Sequence, residues 1–108
     1  MQYLMLLHSN PDYSDPDAFR SYQALAEEMR ELGILIASEP LGPAPAARLV
    51  RSRDGETTVT DGPYAETHEQ VGGFFLVDCD DLATIEGIAA RMPAARVGTV
   101  EIRAIGHD

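Results

Sequence analysis

The chain has 108 residues and a formal charge of −10, with 18 acidic side chains against 8 basic ones, all of them arginine. Its length suits one domain with one core, residues 1–108, and its acidity argues against nonspecific nucleic-acid binding, which needs a basic face toward phosphate. No apolar run approaches the roughly 18 residues of a membrane span, nothing at the start reads as a secretion leader, and the single cysteine, Cys79, excludes an intrachain disulfide, so the expected location is cytoplasmic.

Residues 3–8 read as a strand with apolar side chains on both faces: Tyr3, Met5 and Leu7 on one, Leu4, Leu6 and His8 on the other. Such a strand belongs in the middle of a sheet, covered on both sides. Residues 9–14 form a turn-rich connection with Asn10-Pro11 as its breaker. Asp15 as N-cap and Pro16 at the first helical position open a helix whose apolar stripe is Phe19, Tyr22, Ala26 and Met29, with Gly33 as its stop. A short strand is expected over 34–37, after which Pro40, Gly42, Pro43 and Pro45 break regular structure.

Segments 47–53 and 56–60 flank Asp54-Gly55, a strong hairpin signal. Few apolar residues stand on either arm, so the hairpin is expected at an edge, and Arg48, Arg51 and Arg53 read as its solvated face. Residues 74–79 form a second strand that is apolar on both faces. Asp80 or Asp81 caps a helix over 82–92, ended by Pro93. The final strand, 99–105, alternates Val100, Ile102 and Ala104 with polar residues, so one face of it is buried. This order predicts an α+β fold: a ferredoxin-like split βαβ antiparallel sheet with two helices on one face and an inserted β-hairpin. Two helices cover one face only, and the other would expose a large apolar patch, so a homodimer packed through the sheet face is expected.

The stretch 61–73 concentrates three carboxylates, a histidine, a tyrosine, a glutamine, three glycines and a proline. Loops of that length in small domains tend to carry function. Asp61 suits a general base or the orienter of a histidine, or else simple Asp-Gly-Pro turn chemistry. His8, at the end of a central strand, is placed to reach a pocket beneath this loop, and His8 with Asp61 form the candidate catalytic dyad. Tyr64, Glu66, His68 and Glu69 are candidate substrate-binding residues, the acids reading alternatively as solvated groups or arginine partners. No metal-ligand spacing, phosphate-binding glycine loop, dinucleotide fingerprint or G-x-S-x-G elbow is present, so neither metal nor cofactor is expected. His107 falls at the terminus, and Cys79 reads as a core residue.

The segment 60–74, Thr-Asp-Gly-Pro-Tyr-Ala-Glu-Thr-His-Glu-Gln-Val-Gly-Gly-Phe, resembles the signature of the YCII-related family in its DGPF-domain branch. Tyr64 stands where that branch is named for phenylalanine, and His68 where lysine is frequent. Residues 1–7, Leu41 with Pro43, the arginine-rich strand, Val77-Asp78 with Asp80-Asp81, and Val100-Glu101-Ile102-Arg103 are also similar to the family, so the resemblance covers essentially the whole chain. It implies the dimeric α/β-barrel fold, whose wider relatives include muconolactone-isomerase-like enzymes and chlorite-dismutase-type haem proteins. It implies a His–Asp pair as catalytic groups in some members, and a link to extracytoplasmic-function sigma factors in others. Two functional readings therefore stand side by side. One is a small-molecule-binding domain acting as a cofactor-independent isomerase or lyase through acid–base residues of the 61–73 pocket. The other is a non-catalytic accessory protein in sigma-factor-linked transcription, its acidic surface meeting a basic sigma-factor partner.

Overall fold

The computed structural model describes residues 1–10, 12, 15–64 and 69–106. In chain order the elements are β1 (Gln2–Ser9), α1 (Ala18–Glu31), β2 (Leu35–Pro40), a 3₁₀ turn (Ala44–Ala46), β3 (Arg48–Arg53), β4 (Glu56–Asp61), β5 (Gln70–Asp78), α2 (Leu82–Ala90), α3 (Pro93–Val97) and β6 (Gly98–Ile105). The main sheet has the order β2-β5-β1-β6, with every neighbouring pair antiparallel. The two strands that are apolar on both faces, β1 and β5, are its centre, as the ferredoxin-like reading requires. β3 and β4 pair only with each other, as an arm.

The helices cover one face of the sheet. Met5 and Leu7 of β1 and Phe75 and Val77 of β5 pack with Leu25, Ala26 and Met29 of α1, and with Ile85, Ile88 and Ala89 of α2, in one buried cluster. Leu4, Leu6, Phe74 and Leu76 alternate with these residues, so they lie on the opposite face, where they are half-buried. No helix among the described residues is long and apolar enough to cross a membrane.

Several boundaries differ from the sequence expectation, each for a local reason. Asp15 does not cap α1. Its carboxylate accepts the Asp17 N–H at 2.9 Å and its carbonyl accepts the Ala18 N–H at 3.1 Å, which makes a turn ahead of the helix. The helix therefore starts at Ala18, and Phe19, expected in the core stripe, stays 66% exposed in the first turn. The C-terminus follows expectation: Gly33 has φ +75°, the Ile34 N–H bonds the Met29 carbonyl at 3.0 Å and the Gly33 N–H bonds the Arg30 carbonyl at 2.9 Å, a Schellman closure.

At α2, Asp81 is the cap. Its carboxylate accepts from the Ala83 N–H at 3.1 Å and the Thr84 hydroxyl at 3.0 Å. The helix ends at Ala90, before Met92, and Pro93 opens a third helix that the sequence reading missed. Proline suits a first helical position because its missing N–H has no partner there in any case. The buried Ala94 N–H of α3 donates to the Tyr22 hydroxyl of α1 at 2.9 Å, tying the two helices together. β5 begins at Gln70 rather than at Phe74, so the last part of the expected loop is strand, paired with β1 and β2.

The molecule is thin and open for its mass. Its extents are 47 × 39 × 17 Å and its radius of gyration is 15.7 Å, against about 13 Å for a compact chain of this length. Its accessible surface is 7474 Å², roughly a quarter above the ~5,900 Å² expected of a compact monomer. The arm contributes to the difference. Every residue of β4 is exposed, and Val50 and Val59, paired across the arm, stand 66% and 50% exposed.

Candidate functional site: a cleft at the His8 end of the sheet

The cleft is built on the far end of β1. Pairing of β1 with β5 slips between Leu7 and His8, where Leu7 faces Gly73 and His8 faces Val71, leaving Gly72 as the extra residue of a bulge. Bulges of this kind bend a strand and re-aim the side chains beside it. On the other side the register with β6 is unbroken, with Leu6 opposite Glu101 and His8 opposite Thr99. His8, Glu101 and Thr99 therefore share the face turned away from the helices.

One carboxylate meets His8 there, and a second is held by the neighbouring Thr99. The His8 Nε2 lies 2.9 Å from Glu101 Oε1, and the imidazole is about a quarter exposed. The Thr99 hydroxyl, on the residue opposite His8, donates to Glu69 Oε2 at 3.3 Å. His8 and Glu69 both line an open cleft of about 800 Å³. Most of the remaining wall is apolar: Leu41, Pro43, Ala44, Ala47, Pro63 and Val71. Tyr64 lines the rim, and Gln70 adds an amide.

The outer wall is held by close backbone contact. The Gly62 N–H donates to the Ala47 carbonyl at 2.7 Å. A Cβ at Gly62 would come 2.7 Å from Ala47 Cβ and 2.9 Å from the Ala44 carbonyl oxygen. Glycine serves here by allowing close backbone approach. The Gly62-Pro63 peptide is cis.

Of the residues singled out from sequence, His8, Tyr64 and Glu69 come together in the cleft wall. Asp61 stands apart from them: its carboxylate pairs with Arg48 at 2.8 Å, closing the last register of the arm, and it is 75% exposed. Among the described residues no hydrogen bond joins His8 to Asp61, and each is bonded elsewhere. Glu66 and His68 lie outside the described residues. Glu101 was not singled out. Its link to His8 needs the β1–β6 register, which no local pattern in residues 99–105 encodes. Among the described residues no group of three or more His, Cys, Asp or Glu side chains is arranged to hold a metal. A second cavity, of about 530 Å³, lies between α1 and the β2–β5 edge, with Phe19, Tyr22, Arg30 and Glu39 among its walls.

Comparison with known proteins agrees with this architecture. The chain is similar to an uncharacterized protein, R00369, of Rhizobium meliloti (strain 1021), at 37% identity over 91 residues, covering 82% of this chain and 73% of that one. Among solved structures it is similar to 5-chloro-2-hydroxyhydroquinone dehydrochlorinase (TftG) from Burkholderia phenoliruptrix AC1100, in complex with 2,5-dihydroxybenzoquinone. The TM-score is 0.59, over 100% of this chain and 96% of that one. At 12% identity that likeness is one of fold. The model of the YCII-related domain matches residues 1–107, and the chain belongs to the YCII-related family.

Proposed function

We propose that the cleft binds a small, largely apolar molecule carrying hydroxyl or carbonyl groups, and that His8 and Glu69 move a proton on it in a cofactor-independent isomerase- or lyase-type reaction. The observation that carries this is the presence of an imidazole and a carboxylate in one cleft wall that is otherwise mostly apolar. Proton transfer needs only an acid and a base within reach of one molecule. The apolar residues displace water from the ligand and supply most of the contact area, as in ordinary small-molecule sites. No arginine lines the cleft among the described residues, so a free carboxylate or phosphate would meet no fixed positive charge. The structural neighbour TftG is a dehydrochlorinase in complex with 2,5-dihydroxybenzoquinone, which makes small oxygenated rings the first class to test.

The proposal includes a second copy of the chain. Leu4, Leu6, Phe74 and Leu76 form an apolar face that the helices leave uncovered, and the surface in excess of a compact monomer, roughly 1,600 Å² per chain, is more than the ~800 Å² that each partner buries in a standard interface. A face-to-face dimer covers that face beside the cleft.

The test is a thermal-shift screen of hydroxylated quinones, phenols, lactones and small carboxylates. A ligand at a hundred times its dissociation constant adds about 2.7 kcal/mol of stability. Neutral or weakly acidic oxygenated rings are expected to raise Tm in wild type and not in His8→Gln, and a positive ligand is then incubated in D₂O to follow deuterium uptake by NMR. No stabilisation across the panel, or stabilisation indifferent to His8→Gln, would overturn the proposal.

A further inference from the structure

We propose that Glu101, rather than Asp61, is the positioning residue for His8, and that it sets which imidazole nitrogen acts as the base. The inference rests on the reading of the cleft as a proton-transfer site. A carboxylate oxygen can only accept a hydrogen bond, so at 2.9 Å from Glu101 Oε1 the His8 Nε2 must carry the hydrogen. In the neutral ring the lone pair is then on Nδ1, which no other hydrogen bond occupies among the described residues. Glu101 thus fixes the tautomer, and once Nδ1 takes a proton the ring is a cation held against a carboxylate by a charge-assisted bond.

The placement is rigid. Glu101 and His8 sit on adjacent strands joined in unbroken register from Gln2–Ile105 to Ser9–Gly98. Glu101 lies opposite Leu6, two residues along the same face from Thr99, so the pair is a diagonal cross-strand contact built on the sheet itself. Asp61 is on the exposed arm with its carboxylate committed to Arg48. In the reaction the C–H or O–H bond of the ligand breaks, its electron pair stays on the ligand, and the proton passes to Nδ1. For an isomerisation the imidazolium returns that proton to a second atom of the same ligand, restoring neutral His8. No oxidant or other co-reactant is needed.

Two measurements separate this inference from the reading it rests on. The first needs no ligand: ¹H–¹⁵N correlation spectra of the imidazoles in wild type, Glu101→Ala and Glu101→Gln, with His8→Gln to assign the His8 signals. Wild type is expected to hold His8 in the Nε2–H form with an observable, exchange-protected Nε2 proton. Glu101→Ala should lose that proton signal and mix the two tautomers. An unchanged His8 spectrum in Glu101→Ala would overturn the role of Glu101. The second uses 4-nitrophenol, whose colour reports its ionisation, at a pH below its own pKa. Wild type is expected to bind it as the yellow phenolate, and Glu101→Ala to bind it uncoloured. Equal ionisation in both would also overturn the role of Glu101. Failure of wild type to bind the probe would count against phenolic ligands for the cleft, and the spectra would still decide on Glu101.

Discussion

Gly98 is where the site is easiest to break without touching a side chain that lines it. The residue opens β6 directly after α3 and sits opposite Ser9 in the register. A Cβ added there would overlap the His8 carbonyl oxygen and lie 2.9 Å from Ser9 Cα and 3.0 Å from the His8 carbonyl carbon. Carbon atoms in contact ordinarily rest about 3.5–4.0 Å apart, and all three neighbours are backbone, so no flexible side chain can swing clear. In Gly98→Ala the start of β6 must therefore move away from β1 by about an ångström. A shift of that size takes the His8–Glu101 bond from 2.9 Å to well beyond the ~3.2 Å limit of a good N–H···O bond. Forced overpacking costs about 1–3 kcal/mol, which for a domain of this size lowers Tm by roughly 4–12 °C. Differential scanning calorimetry measures the first effect and the His8 Nε2 proton signal the second. A variant with wild-type Tm and an unchanged His8 spectrum would refute the close-approach argument and with it the rigidity claimed for the β1–β6 pair.

Other expectations follow from single contacts. Tyr22→Phe removes the acceptor of the buried Ala94 N–H and should cost about 1–3 kcal/mol in chemical denaturation; a loss under 0.5 kcal/mol would mean water replaces the hydroxyl. Burial, only partly offset by the hydrogen bond from Ala94, holds the Tyr22 phenol above its ordinary 10.0. Its stabilising effect is therefore complete below pH 10 and is lost as pH rises through the raised folded value, so Tyr22→Phe should flatten the alkaline limb of Tm against pH. At the acid end, the hydrogen bond from Arg91 holds the Glu28 carboxyl below its ordinary 4.5. That contribution is present above pH 4.5 and fades as pH falls through the lowered value, so Glu28→Gln should show a shallower acid limb, most visibly at low salt. Phe74→Glu places a charge on the uncovered sheet face and should halve the mass seen by light scattering at micromolar concentration; a single-chain mass already present in wild type would remove the dimer.

The fold was legible because its pattern is written in alternation. Residues 3–8 and 74–77 are apolar on both faces, and that alone puts β1 and β5 in the centre. The Asp54-Gly55 turn marks the arm, and Gly33 marks the end of α1 with its positive φ. What was missed depended on choices between equally good local signals. Asp15-Pro16 reads as a helix start, but the Asp15 carboxylate closes a turn on the Asp17 N–H and the helix begins at Ala18. Pro93 suits the end of one helix or the first position of the next, and the buried bond from Ala94 to Tyr22, 72 residues away in sequence, favours the third helix. The site divided in the same way. Strand ends and loop composition pointed to His8, Asp61 and the loop residues Tyr64, Glu66, His68 and Glu69, of which His8, Tyr64 and Glu69 line the cleft. Glu101 could not, because its partner is 93 residues away and the link exists only through register. Asp61 suited either a base beside a histidine or the Asp-Gly-Pro turn, and its carboxylate is bonded to Arg48, the residue opposite it across the arm.

The most direct test of the account is calorimetric titration of 2,5-dihydroxybenzoquinone and simple phenols into wild type and His8→Gln at matched pH. Saturable binding to wild type is expected, with protons taken up or released by the protein in buffers of different ionisation enthalpy, and loss of that proton linkage in His8→Gln. Binding of equal strength and equal proton linkage in the two proteins would contradict it, because His8 would then have no part in the chemistry of the cleft.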